Sequence, residues 1–182
     1  MNNFSVTYFV DHFGLKIASA AAIASIFGFM NIFARALGGY ASDKCMAKMG
    51  MRGRIICQAI ILIVEGCLIF AFASTKNLGL AIFLLTLFSV FVQAAEGSTY
   101  GIVPYVNTSA TGSVAGIVGA GGPTGAVLFG LGFRQIADVK QAYFLMAAVV
   151  VASGVSCLFI HIKGHPRLFL RKGPSPVICS GT

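Results

Sequence analysis

Five long apolar runs, separated by short polar breaks, organise this chain. They cover roughly residues 17–39, 55–74, 79–104, 112–133 and 142–162, each near the ~20 residues that a helix needs to cross a bilayer. Three of the breaks, at 74–78, 105–111 and 134–140, are so short that consecutive helices must be antiparallel neighbours. A further apolar stretch, Phe4-Ser-Val-Thr-Tyr-Phe-Val10, is too short to span and lacks the basic lead of a signal peptide. It reads as the last turns of a helix that begins upstream, so the expectation is a fragment. The predicted fold is an all-α membrane protein of five complete transmembrane helices plus the end of a sixth. Residues 1–162 form the transmembrane body and 163–182 a tail.

Composition agrees with the pattern. The 182 residues are 57% hydrophobic and 10% charged, with mean hydropathy +0.88, whereas soluble domains run near 45–50% apolar and about 25% charged. The net charge of +8 does not point to nucleic acid, because the basic residues are thinly spread with no aromatic-interleaved patch. They fit membrane topology instead. Lys44, Lys48, Arg52 and Arg54 follow the first span, and Lys163, Arg167, Arg171 and Lys172 lie in the tail. Lys16, Lys76, Arg134 and Lys140 fall on the opposite side. The richer side is expected to be cytoplasmic, with the C-terminus inside.

Enzyme chemistry has little to stand on. No nucleophile motif, acidic metal cluster or Gly-rich strand–helix turn occurs. Cys45, Cys57, Cys67, Cys157 and Cys179 have no metal spacing and read as small hydrophobes. His161 and His165 sit in the basic tail with no carboxylate or cysteine beside them. The expectation is no enzyme, no cofactor and no metal.

Arg35 carries the sharpest question. A guanidinium stays charged, and placing it in hydrocarbon costs about 2.5–3.5 kcal/mol on insertion scales. At 100° per residue its helix is small and polar along Ala24, Ser25, Gly28, Asn31, Arg35, Gly39 and Ser42, and bulky along Ile26, Met30, Phe33 and Leu37. The first face is expected to line a cavity or meet a helix, with Asn31 one turn from Arg35. The competing reading is a snorkelling arginine near the membrane surface. Glu96 has two readings as well, an ion pair with a basic group or a titrating carboxyl; Glu65 has no partner in view. Residues 112–132 carry eight glycines. Gly112/Gly116 and Gly121/Gly125 have the spacing of close helix crossings, and Pro123 is expected to interrupt that helix.

Taken in order, these segments carry a resemblance. Gly39-Tyr-Ala-Ser-Asp43 and then Gly50-Met-Arg-Gly-Arg54 resemble the cytoplasmic signature of the major facilitator superfamily. The resemblance implies a close helix crossing at Gly39 and a gating latch between Asp43 and Arg52 or Arg54. With Phe33-Ala-Arg-Ala-Leu-Gly-Gly39, Gly101-Ile-Val-Pro104 and Ala115-Gly-Ile-Val-Gly-Ala-Gly-Gly-Pro-Thr-Gly-Ala-Val127, residues 2–163 look like the C-terminal half of a nitrate/nitrite porter of the eukaryotic high-affinity type. The likeness implies a six-helix half-bundle and alternating-access transport of nitrate, or nitrite, coupled to protons across the plasma membrane. It implies substrate contacts from Arg35, Asn31, Gly119, Gly121, Gly122 and Gly125, and a second arginine from the missing N-terminal half. An accessory membrane protein is a further expected partner, beside the lipid bilayer. Pro123 departs from the asparagine common in that family. The alternatives are a facilitator for another small anion, or a membrane scaffold fragment that transports nothing.

Overall fold

A computed structural model describes residues 2–135 and 139–160 of the chain. Its elements in order are α1 (Asn2–Phe13), α2 (Ile17–Met49), α3 (Met51–Ser74), α4 (Leu78–Val106), α5 (Thr111–Gln135) and α6 (Val139–Cys157). A 3-10 turn, Thr108–Ala110, leads into α5, and no strand occurs among the described residues. All of the helices except α1 are long and apolar enough to cross a membrane. The stretch 4–10 lies within α1, whose 12 residues reach about 18 Å, well short of the hydrocarbon thickness.

The polar segment after the first span corrects the sequence reading. Residues 40–54 were expected as a loop, but α2 continues to Met49 and α3 begins at Met51. With 33 residues, α2 is about 50 Å long against a core of about 30 Å. Its charged end, with Asp43, Lys44 and Lys48, therefore projects past the hydrocarbon as helix. The charge run marks where the chain leaves the membrane, not where the helix stops. Gly50 alone makes the joint. Its φ of 65° lies where side chains are strained, and its N–H donates to the Met46 carbonyl at 2.7 Å.

Two further boundaries differ. α5 is continuous through Pro123, because one missing hydrogen bond in a spanning helix is tolerated without a break. α6 ends at Cys157, short of the expected 162. Residues 161–182, with the tail and both of its histidines, lie outside the described residues.

One end of the bundle is tied by aromatic packing. Tyr8 and Phe9 of α1 are buried with Phe72 of α3, Phe88 of α4 and Tyr143 of α6. The Tyr8 ring lies 4.7 Å from Phe72 and 5.3 Å from Tyr143, and its hydroxyl donates to the Phe72 carbonyl at 3.2 Å. The buried hydroxyl thus has the partner that such a group requires. Asn77 caps α4 by accepting from the N–H groups of Gly79 and Leu80.

Toward the other end, α2 lies closely along α4, its main partner. The contact is made by backbone. A Cβ on Gly38 would run into the Ala94 carbonyl, and one on Gly97 into the Arg35 carbonyl. Gly39, expected to be the crossing point, meets only an ordinary contact, 3.9 Å from the Gly97 carbonyl. The tight glycine is its neighbour, because Gly38 shares the buried stripe of Ala34 and Ser42. By contrast, no described side chain of α5 is buried.

These contacts separate two adjacent glycines. Gly38→Ala should lower the thermal stability of the detergent-solubilised protein by the 1–3 kcal/mol typical of overpacking, or more. Gly39→Ala should be close to neutral. Equal shifts in melting temperature would contradict the crossing described here.

Candidate functional site

The α2–α4 crossing sets Arg35 against Glu96. With the two backbones in contact at Gly97, the Arg35 guanidinium donates through Nη2 to Glu96 Oε2. Neither side chain is enclosed: they are 45% and 46% exposed. Beside them opens a cleft of about 570 Å³, lined by Asn31, Ile32, Arg35, Ala36, Gly97 and Tyr100. Asn31 and Arg35, placed on one helix face by their spacing, line this cleft together.

The predicted glycines divide. Gly119 of α5 approaches the cleft through Tyr100, whose hydroxyl would lie 3.1 Å from a Cβ there. Gly121, Gly122 and Gly125 are not among the lining residues, and a Cβ on each would meet open space. Two lining residues, Gly97 and Tyr100, escaped the sequence reading. Tyr100 lies four residues beyond Glu96, so helix spacing alone sets it on the same face.

Chemically, the cleft offers a permanent cation, a neighbouring amide on Asn31 and a phenol on Tyr100, all able to donate hydrogen bonds. The carboxylate already on Arg35 demonstrates the kind of group it holds: a planar oxyanion with paired oxygens. Glu96 engages one guanidinium nitrogen, which leaves further N–H donors of Arg35 for an anion in the cleft. Among the described residues no cluster of His, Cys, Asp and Glu is assembled that would hold a metal ion.

A second polar centre joins α2, α3 and α4 near the charged end. Arg54 is 6% exposed. It donates to Asp43 and to the Gly101 carbonyl, places Nε 2.9 Å from Met46 Sδ and stacks over the Tyr105 ring at 5.2 Å. Of the two arginines expected to partner Asp43, Arg54 makes the ion pair; Arg52, two residues earlier in α3, is half-buried. Glu65 is buried in α3, does not line the cleft, and its Oε2 has no hydrogen-bond partner among the described residues.

No family model and no solved structure matches the chain. Curated proteins do. The chain is 42% identical over 177 residues to "High affinity nitrate transporter 2.5" of Arabidopsis thaliana, covering 96% of the chain and 35% of that protein. It is 43% identical over 129 residues to "Nitrate transporter 2.1" of Chlamydomonas reinhardtii, covering 70% of the chain and 24% of the relative. It is 42% identical over 123 residues to "Nitrate/nitrite transporter NrtP" of a Picosynechococcus strain, covering 67% and 22%. The chain thus spans roughly a quarter to a third of the length of the curated relatives it matches.

The Arg54 centre yields an unequal pair of variants. Arg54→Ala strips a partner from Asp43 and from the Gly101 carbonyl and leaves a void beside Tyr105. A hydrogen bond from a charged group is worth about 1.5–3 kcal/mol. Asp43 is 66% exposed, so Asp43→Ala leaves Arg54 its bond to Gly101 and removes a group that water already solvates. Arg54→Ala should lower the melting temperature in detergent clearly more than Asp43→Ala. The reverse order would show that Asp43, not Arg54, organises this end.

Proposed function

The chain belongs to the family of the high-affinity nitrate transporters, and from that premise we propose that it forms one wall of a nitrate pathway working by alternating access. The observation that carries the reading is Arg35. It is a permanent cation on a spanning helix, half exposed to an open cleft, with Asn31 beside it. Nitrate is planar and monovalent, and the guanidinium fork matches paired oxygens of that geometry. Nitrite presents a similar pair, so the cleft admits it as a second substrate.

The other wall comes from the complementary half of the transporter, with its own cation. α5 is where that half packs. Its 111–131 stretch has no buried residue, and Gly112, Gly116, Gly121 and Gly125 are open to the close approach of another helix. Once that half is in place, Gly119, Gly121, Gly122 and Gly125 bring backbone toward the anion. The set of six helices is then the C-terminal half of a major facilitator bundle. The basic-rich end, with Asp43 and Arg54, faces the cytoplasm and latches it, and protons accompany nitrate across the plasma membrane. An accessory membrane protein would dock on the outside of this assembly.

A facilitator for another small anion is the reading that competes on the same cleft. Chloride offers no planar pair of oxygens, so the geometry of Arg35 favours nitrate.

Substituting Arg35 in the complete transporter tests the proposal. Arg35→Lys keeps the charge and loses the fork. Apparent nitrate affinity should fall about tenfold or more, from the 1.5–3 kcal/mol of a charge-assisted hydrogen bond. Arg35→Ala should abolish saturable uptake while the protein still reaches the membrane. Unchanged apparent affinity in Arg35→Ala would overturn the assignment.

A further inference from the structure

A groove of about 530 Å³ runs between α3 and α6 and plays no part in the nitrate pathway. Gly66 is its buried floor. Cys67 and Phe70 of α3 line one side, and Phe144, Ala148 and Ala152 of α6 line the other. We propose that the groove seats one acyl chain of a phospholipid, whose phosphate lies at Lys140.

The groove follows from residue size. α3 and α6 meet at Gly66, where a Cβ would stand 2.5 Å from Val151 Cγ2 and 3.0 Å from the Ala147 carbonyl oxygen. On the exposed side of that contact, Ala148 and Ala152 lie one turn apart and are too short to fill the space between the helices. The Phe70 and Phe144 rings, with centroids 4.9 Å apart, bound the recess at the end where α3 stops and α6 begins.

Depth and lining identify a hydrocarbon occupant. Both helices are long and apolar enough to cross a membrane. Counted from Val139, the stretch from Phe144 to Ala152 lies about 8–20 Å along α6 at 1.5 Å per residue. That is largely one leaflet of a core about 30 Å thick. No lining side chain is charged or carries an O–H or N–H group. A polar ligand would lose its hydrogen bonds to water and gain none there, whereas methylene groups lose nothing.

Charge identifies the head group. Lys140 lies on the first turn of α6, one turn before Phe144, and its Nζ is 5.9 Å from the centre of the Phe144 ring. The ammonium thus stands at the aromatic end of the groove, where the span ends and lipid phosphates begin. A chain leaving the groove past the ring pair carries its phosphate to that ammonium. An uncharged lipid would leave the match unused.

The complementary half does not compete for this site. The cleft is built by α2 and α4, and the open glycine face by α5; none of these helices lines the groove. The proposal therefore stands apart from the identity of the transported anion.

The test uses the complete transporter in detergent with a phosphatidylcholine that carries a diazirine on its acyl chain. After illumination, adducts are mapped by peptide mass spectrometry. They should concentrate on residues 67–70 and 144–152. Unlabelled phosphatidylcholine should compete about fivefold better than the diacylglycerol with the same chains, the scale of one lysine at a lipid phosphate. Lys140→Gln should erase that difference. Ala148→Phe, which fills the groove, should remove these adducts and leave labelling elsewhere unchanged; Ala152→Phe is the second variant if the first fails to fold. Adducts spread evenly over the exposed spans, or retained in a folded groove-filling variant, would overturn the proposal. Equal competition by diacylglycerol in the wild type, or an advantage of phosphatidylcholine kept in Lys140→Gln, would overturn the phosphate contact. Cross-linking of Cys67 between two copies of the transporter would show a protein partner on this face and overturn the lipid seat as well.

Discussion

Arg35 cannot shed its charge, and a bilayer does not accommodate a bare one. The cost of about 2.5–3.5 kcal/mol on insertion scales is too large for an ornament in a protein stable by only about 5–15 kcal/mol. The local architecture answers that constraint. Glu96 is brought to Arg35 from the neighbouring helix. The two helices approach so closely because Gly38 and Gly97 present no side chain where their backbones meet. The ion pair, the crossing and the cleft are therefore one arrangement seen at three scales. The crossing brings α2 and α4 together, the pair neutralises the arginine, and the arginine lines the cleft.

The two polar centres have different characters. Arg54 is enclosed, with Asp43, the Gly101 carbonyl, Met46 and Tyr105 around it. Four partners on two neighbouring helices, α2 and α4, give it one defined position. Arg35 has one acceptor and remains nearly half exposed. A cation held from many sides is a joint, whereas Arg35 keeps guanidinium donors open beside the cleft. That contrast is why we propose Arg35, and not Arg54, for the anion.

Much of this was legible in the sequence, and for definite reasons. The five apolar runs carried the all-α fold because bilayer thickness sets span length. Arg35 and Asn31 were found together because helix period alone puts residues four apart on one face. Other features depended on tertiary contact. Residues 40–54 looked like a loop because a charged helix end beyond the membrane has the composition of one; only the positive φ of Gly50 marks the joint. Gly39 was preferred to Gly38 because adjacent glycines differ only in which one meets the next helix. Glu96 was noticed for its charge, but its partner lies 61 residues away, beyond any local pattern. Tyr100 was passed over because an aromatic in a spanning helix is commonplace until a cavity opens beside it.

The family relationship, reaching 96% of the chain at 42% identity in one relative, and the cleft were reached by independent routes. Both are consistent with the reading proposed above, in which an anion binds at Arg35. The most direct measurement is an electron cryo-microscopy structure of the complete transporter determined with and without nitrate. The account predicts planar density against the Arg35 guanidinium in the nitrate state. Nitrate bound elsewhere, with no density at Arg35, would contradict it.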